Sequence, residues 1–356
     1  MPGRSPVIGP NADQVAFGDY SWTKANRDGV SVLQALKSRL GDRVEIRYAK
    51  GCDLVGLSTE GFAAAEAAAR QSDLAVVVIG DTSMILSGVG WEDPALPARG
   101  TVGEGFDVDN PVPPGVQEDL VKAVVATGKP TVVVLLNGRP YCLPWMHDHV
   151  PALLEAFYPG EQQGHAIVDI LFGRVNPSGR LPVTLAHSAG QIPCTYDFKP
   201  FGRGYYHQPG SPDRMGRDYV FASPAPLWPF GFGLSYTQFA YSGLKIHTPE
   251  IPARDGVLRF SFTVTNTGAV AGKVVAQVYW RDLVARVTPP EKRLLHFAKV
   301  ELQAGESREL EGNIPVDTFR NLTGDMRWVV DPREIEIQVG DNAEDIRETG
   351  RFTIGH

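Results

Sequence analysis

Two runs of aliphatic and β-branched residues constrain the fold of this chain more than any other feature. They cover Leu74–Ile79 and Thr131–Leu136, and neither alternates apolar with polar residues. Such a run is typical of a strand that is buried on both faces, as in a parallel sheet covered by helices. Both runs therefore predict central strands of an α/β domain.

Strand and helix patterns alternate around these two runs. Short strands are predicted over Pro6–Gly9 and Val44–Tyr48. Thr59 is a candidate N-cap for a helix that is predicted to extend to Gln71, because a Thr hydroxyl can accept a hydrogen bond from an N–H of the first helical turn. Helices are predicted over Ser31–Leu40, Thr59–Gln71, Val116–Thr127 and Glu161–Leu171, with a further apolar element over Pro151–Phe157. This alternation predicts an α/β domain with a mainly parallel sheet over residues 1–175.

The composition changes after this predicted domain. Residues 176–239 are rich in Pro, Gly and aromatic residues and contain no long periodic segment. Disordered segments are poor in aromatic residues, so we predict an ordered, extended segment that links two domains and wraps the first.

From residue 240 the apolar pattern has a period of two, as expected for half-buried strands. Short strands of this kind, separated by turn signals, predict an antiparallel β-sandwich over residues 240–356. The apolar residues that alternate with other positions are Leu258, Phe260, Phe262, Val264, Val274, Ala276, Val278 and Trp280.

Charge, hydropathy and cysteine content argue against several classes of function. The net charge of -7 argues against nucleic-acid binding, which needs a clustered basic surface. No apolar run reaches the ~18 residues of a membrane span. The N-terminal sequence lacks the apolar core of a signal peptide, although the compartment stays open if a longer N-terminal part exists. Cys52, Cys142 and Cys194 are expected to be buried apolar residues, because none forms a C-x-x-C pair.

A long Gly- and Pro-rich loop, Gly100–Gln117, follows the predicted strand that ends in Gly80 and Asp81. Open α/β sheets place functional groups in loops at the carboxyl ends of their strands. Glu104 lies at the centre of this loop between two glycines, which leave the backbone free to turn and the carboxylate unshielded. Glu104 is therefore a candidate functional residue.

Several motifs resemble the C-terminal half of glycoside hydrolase family 3 enzymes of the β-glucosidase type. They include VIGPNAD and FGDYS near the start, GEGFD around Glu104, and GKPTVVVLLNGRP. NPSGRLPVT and PFGFGLSYT follow, and FTVTNTGAVAGKVVAQVY lies in the predicted sandwich. These motifs occur in the family order over nearly the whole chain.

The resemblance implies a six-stranded α/β sandwich domain followed by a fibronectin-type-III-like domain. It also implies an N-terminal (β/α)₈ barrel, typically about 250 residues long, that carries the nucleophile Asp and a sugar-binding Lys-His pair. The nearest match to the nucleophile motif, Ser72-Asp73-Leu74, opens a strand, and no Lys-His dipeptide occurs. We therefore expect the barrel, and with it the nucleophile, to be absent from this chain.

Retaining glycoside hydrolysis uses two carboxyl groups about 5 to 5.5 Å apart, one a nucleophile and the other an acid/base. The resemblance implies that Glu104 is the acid/base on a mobile loop. Asp107 matches the motif's Asp and is expected to fix the loop or to support substrate binding, while Val108 replaces an Arg that is frequent in relatives. Glu92 is the second candidate acid/base, and Trp91 could stack on a sugar or anchor the loop.

Other polar residues are assigned structural roles. His147 and His149 are two residues apart without further close ligands, so we expect no metal site there. Arg139 in NGRP is expected in a structural hydrogen-bond network. The glycines of GRGYY and PFGFG lack the context of a phosphate loop, and no cofactor is implied.

The leading hypothesis is the C-terminal portion of a retaining β-glucosidase-like hydrolase that acts on a β-linked glucoside or a related oligosaccharide. Glu104 would supply the acid/base, and a barrel elsewhere would supply the nucleophile. Two alternatives stay open: a non-catalytic carbohydrate-binding or structural module, and an inactive gene fragment.

Overall fold

A computed structural model describes residues 3–23, 25–83, 100–199 and 207–355 of this 356-residue chain. The chain divides into two compact units. The first comprises Met1–Val175 and His187–Gly190, and the second comprises Asn176–Ala186 and Gln191–His356. Every helix in the described part of the chain is too short or too polar to span a membrane.

The first unit is built on a parallel sheet with the strand order β2-β1-β3-β4-β5. The strands β1 to β5 are Gly3–Ile8, Val44–Ala49, Ala75–Gly80, Thr131–Leu136 and Ala152–Glu155. The helices α1 to α5 are Val32–Leu40, Phe62–Arg70, Gln117–Val125, Pro144–His149 and Gln163–Leu171. The α/β fold class is confirmed. Among the described residues the sheet has five strands, not the six expected, because the chain adds no strand to it after α5.

The two apolar runs form the central strands, as predicted. Every residue of β3 is buried, and β4 is buried at all positions except the intermediate Val132. Val78 and Val134 share one apolar cluster with Leu33 of α1 and Ile167 of α5. Burial of a side chain of this size stabilises the fold by about 1.5–3 kcal/mol. The contacts of β3 and β4 thus hold the middle of the sheet in place.

Local hydrogen bonds explain where the first two helices begin. Ser31 caps α1: its hydroxyl accepts from Gln34 N, and its own N–H donates to the Gln34 side chain at 3.0 Å. The prediction that Thr59 caps α2 is wrong. Thr59 lies in a turn before the helix, where its carbonyl accepts from Phe62 N at 3.0 Å, and the N-cap is Gly61.

The second unit contains a five-stranded sheet of order β10-β9-β14-β15-β7 and a three-stranded sheet of order β11-β8-β6. Its strands β6 to β10 are Phe239–Ile246, Glu250–Pro252, Val257–Asn266, Gly272–Asp282 and Arg293–Leu302. Its strands β11 to β15 are Ser307–Pro315, Asn321–Leu322, Trp328–Val329, Arg333–Gly340 and Ile346–Gly355. Most pairs are antiparallel, but β15 and β7 pair in parallel, contrary to the wholly antiparallel prediction.

The residues predicted from the period-two pattern form the core of this unit. Phe260 and Phe262 of β8 lie in one buried cluster with Trp280 of β9 and Phe352 of β15. Phe319 contacts both Trp280 and Phe352 edge-on, with ring centroids 5.2 Å apart in each pair. Residues from both sheets therefore enclose one aromatic core, which confirms a fibronectin-type-III-like sandwich.

Part of the Pro-, Gly- and aromatic-rich segment forms hydrogen bonds and an ion pair within the second unit. Arg180 donates to the carbonyl of Gly233 and pairs with Asp341 at 3.1 Å. Gln277 Nε2 donates to Gly231 O at 3.0 Å. These contacts tie parts of the segment to the second unit. That it also wraps the first domain stays a prediction.

Candidate active site

Polar side chains gather where β3, β4 and β5 of the first unit end. Asp81 follows β3, Asn137 and Arg139 follow β4, and Glu155 is the last residue of β5. The carboxyl ends of parallel strands meet at the same edge of a sheet, and this edge is where α/β folds place their ligand-binding groups. The loop that carries Glu104 leaves the sheet at this edge.

Asp81 is 1% exposed and is enclosed by hydrogen-bond donors. Tyr141 Oη donates to Asp81 Oδ2 at 2.7 Å, Tyr158 Oη donates to Oδ1, and Gly138 N donates to Oδ1 at 3.0 Å. Burial raises the pKa of Asp81, while these hydrogen bonds act in the opposite direction. Burial, together with the Asp81 charge, also raises the pKa of both tyrosines. Asp81 thus ties the ends of β3, β4 and β5 together.

Glu155 lies beside this network. Phe157 N donates to Glu155 Oε1 at 3.1 Å, and Asn137 Nδ2 donates to Oε2 at 3.3 Å. Burial raises the pKa of Glu155 to about 7, although the two hydrogen bonds act in the opposite direction. Asn137 Nδ2 also donates to the carbonyl of Arg139 at 2.8 Å. The amide group therefore links Glu155 to the segment that holds the loop.

Arg139 holds the loop to the end of β4. Its Nη2 donates to the carbonyl of Thr101 at 3.3 Å and to the carbonyl of Phe106. These carbonyls lie on either side of Glu104 in the sequence. On the β3 side, Thr101 N donates to the carbonyl of Thr82 at 2.9 Å. The predicted structural role of Arg139 is confirmed.

Glu104 is exposed at the tip of this loop. Its flanking glycines have φ of +119° at Gly103 and +81° at Gly105, values that L side chains rarely adopt. The Glu104 N–H donates to Asp19 Oδ2 at 3.1 Å. The backbone at Glu104 is therefore held by contacts, while its carboxylate extends into solvent.

The remaining predicted site residues are placed as follows. Asp107 is exposed and lines a cavity of about 260 Å³ together with Arg139 and Tyr141. Its carboxylate makes no hydrogen bond within the described part of the chain, and its loop-fixing role stays a prediction. Trp91 and Glu92 lie outside the described residues.

The histidines and cysteines have structural surroundings. His149 Nδ1 donates to the carbonyl of Trp145 at 2.8 Å, and the two rings stack at 4.6 Å. His147 Nδ1 lies 2.8 Å from the Asp148 carboxylate. Cys52 and Cys142 are buried, as expected, whereas Cys194 is only partly buried. Burial raises the pKa of the Cys52 thiol to about 11. The described residues contain no cluster of three or more metal-ligating side chains.

Sequence reasoning missed the residues that support Glu104. Asp19 lies in the FGDYS motif, but the motif does not indicate its contact with a residue 85 positions away. The sequence identifies Asp81 only as a residue that follows a buried strand. Glu155 and Tyr158 lie in the stretch EAFYPGEQQ, but their roles depend on the packing of three strand ends, which the sequence does not show.

Comparison with known proteins agrees with this architecture. The Glycosyl hydrolase family 3 C-terminal domain matches residues 3–236, and a Fibronectin type III-like domain matches residues 274–343. A beta-xylosidase of Formosa agariphila is 37% identical over 96% of this chain and 45% of its own length. A periplasmic beta-glucosidase of Salmonella typhimurium is 33% identical over 99% of this chain and 46% of its own length.

Solved structures give the same result. A beta-glucosidase from Listeria innocua in complex with glucose has a TM-score of 0.84 and 28% identity, covering 99% of this chain and 46% of that one. A β-glucosidase from Erythrobacter marinus has a TM-score of 0.83 and 34% identity, with the same coverage. The chain belongs to glycoside hydrolase family 3 and carries that family's C-terminal and fibronectin-like domains. It spans about half the length of these relatives.

Proposed function

We propose that this chain supplies the general acid/base, Glu104, for the retaining hydrolysis of β-glycosidic bonds. The observation behind the proposal is that the Glu104 carboxylate is exposed while hydrogen bonds hold the backbone of its loop. A catalytic group needs a defined position and access to the substrate, and this loop provides both. The partner is a (β/α)₈ barrel that carries the nucleophile Asp.

The reaction has two steps in this proposal. First, the Glu104 carboxyl gives its proton to the glycosidic oxygen while the barrel carboxylate attacks the anomeric carbon. The bond to the leaving group breaks and a covalent glycosyl ester forms. Then the Glu104 carboxylate takes a proton from water, whose oxygen attacks the anomeric carbon. The ester bond breaks, which frees the sugar and regenerates the barrel carboxylate.

A general acid in this reaction needs partly buried or negatively charged surroundings that keep it protonated. Glu104 is exposed in this chain, so we infer that the barrel surface and its nucleophile carboxylate provide them. The relatives are named beta-glucosidases and beta-xylosidases. The proposed substrates are therefore β-linked glucosides or xylosides, including short oligosaccharides.

The test compares the chain alone with the chain combined with a separately produced family 3 barrel. We expect no turnover of aryl β-glucosides by the chain alone and measurable turnover by the combination. Glu104→Gln should lower kcat of the combination by about 10²- to 10⁴-fold, the usual contribution of a general acid/base. Glu60→Gln, at an exposed residue before α2, is the matched control and should leave kcat unchanged.

Two results would contradict the proposal. Turnover by the pure chain that disappears in Glu104→Ala would show that the nucleophile lies within this chain. Full activity of the Glu104→Gln combination would show that Glu104 is not the acid/base. Calorimetry separates the alternative of a non-catalytic module, which would bind β-linked oligosaccharides equally well with and without the barrel.

A further inference from the structure

Within the described ranges, Asp19 is the side chain that hydrogen-bonds to the backbone of the proposed acid/base residue. Its Oδ2 accepts a hydrogen bond from Glu104 N at 3.1 Å, across 85 positions of sequence. A carboxylate that accepts from an N–H forms a charge-assisted bond, which is stronger than one between neutral groups. Asp19 therefore restrains the peptide unit from which the Glu104 side chain projects.

The loop that carries Asp19 is itself well anchored. Gln163, which is fully buried at the start of α5, accepts from Ala16 N at 2.8 Å and donates to the carbonyl of Gln14 at 2.6 Å. Ser21 Oγ donates to the carbonyl of Gly18 at 2.6 Å, which closes a turn around Asp19. The Asp19 carboxylate thus belongs to a fixed support.

The residue before Glu104 is adapted to this contact. Gly103 has φ of +119°, and a Cβ at this position would overlap both oxygens of the Asp19 carboxylate. A side chain at residue 103 would therefore displace either the loop or the Asp19 carboxylate, and either movement would break the contact. The contact depends on a carboxylate on one side and the lack of a side chain on the other.

The second oxygen of Asp19 suggests a role beyond stability. Oδ1 is buried and accepts no hydrogen bond from the residues that the structure describes. A buried carboxylate oxygen without a donor is unfavourable, so a residue selected only for stability would not be expected there. Fixing the Glu104 backbone is a function that accounts for the carboxylate.

We propose that Asp19 is a positioning residue for the acid/base, one that sets the direction of the Glu104 carboxyl without touching substrate. This inference rests on the proposed function of Glu104. Arg139 fixes the carbonyls of Thr101 and Phe106, and Asp19 fixes the N–H of Glu104 itself. Together these contacts hold the short segment from residue 101 to residue 106 at both ends and in the middle.

The first test needs no catalysis. Hydrogen exchange of the Glu104 amide is measured in the chain alone for wild type, Asp19→Ala and Asp19→Asn. Loss of the charge-assisted bond in Asp19→Ala should raise the exchange rate roughly tenfold or more. Asp19→Asn keeps an acceptor oxygen and should restore most of the protection. Asp28→Ala, in the same loop region, should leave the Glu104 amide unchanged, and unchanged exchange in Asp19→Ala would overturn the contact.

The second test uses the chain combined with a family 3 barrel and compares two leaving groups. The dinitrophenolate of a dinitrophenyl β-glucoside leaves without protonation, whereas the alkoxide of an alkyl β-glucoside must be protonated by the acid as it leaves. Asp19→Ala should lower kcat/KM, which reports formation of the glycosyl ester, at least tenfold more for the alkyl glucoside than for the dinitrophenyl glucoside, with partial rescue in Asp19→Asn. A merely structural role would lower kcat/KM for both glucosides by the same factor.

Glu104→Gln distinguishes failure of this inference from failure of the proposed function. If Glu104→Gln shows the leaving-group effect and Asp19→Ala does not, the positioning role is wrong and the acid/base assignment stands. If Glu104→Gln shows no such effect, the acid/base assignment itself is wrong.

Discussion

Glu155 provides a quantitative test of the polar network at the sheet edge. Burial raises its pKa from the ordinary 4.5 to about 7. The folded state therefore favours the protonated carboxyl, and this stability is fully present below pH 4.5 and is lost as the pH rises through 7. Each pKa unit corresponds to about 1.4 kcal/mol, so the loss between pH 5 and pH 8 is about 2 to 3 kcal/mol.

The perturbation is Glu155→Gln, which keeps the size of the side chain and removes its ionisation. Hydrogen exchange of the peptide that contains β4, measured at increasing urea concentrations, reports the unfolding of the first unit alone. From pH 5 to pH 8 the wild type should lose about 2 to 3 kcal/mol of unfolding free energy more than the variant does. Glu60→Gln, at an exposed position, should track the wild type. If the wild-type and Glu155→Gln curves run parallel, the carboxyl is not desolvated and the reasoning fails.

Two further predictions concern the frameworks of the two units. Gly80→Ala should destabilise the first unit by more than about 2 kcal/mol, because φ is +153° there and a Cβ would overlap the carbonyl oxygen of Leu136. An unchanged urea midpoint for hydrogen exchange of the peptide that contains β4 would contradict this prediction. Arg333→Met should destabilise the second unit by about 3–5 kcal/mol, since it leaves the buried Asp282 carboxylate without its ion-pair partner. Scanning calorimetry measures this second loss, and Arg351→Met, at an exposed ion pair, should cost under about 1 kcal/mol.

The parts of the fold that depend on local pattern could be predicted from the sequence. The β3 and β4 runs could be assigned because burial on both faces leaves no position for a polar residue. The alternation through Phe260 and Trp280 likewise predicted the core of the sandwich. The number of strands in the first sheet came from the resemblance and not from the residues, and it differed from the structure.

The candidate site was only partly predictable. Glu104 could be selected because it lies between two glycines within a motif, and a structural role could be expected for Arg139 in NGRP. Asp19 could not be connected to Glu104, because their contact joins loops far apart in sequence. The raised pKa of Glu155 arises from burial at the ends of neighbouring strands, which no local pattern records.

The most direct test of the central claim is chemical rescue of Glu104→Ala in combination with a family 3 barrel. With a dinitrophenyl β-glucoside, the glycosyl ester forms without acid catalysis but hydrolyses slowly, because water lacks its base. Azide needs no base and attacks the anomeric carbon directly. The account predicts that azide restores the turnover rate and that the product is the β-configured glucosyl azide. An unrescued rate, or an azide product of α configuration, would contradict it.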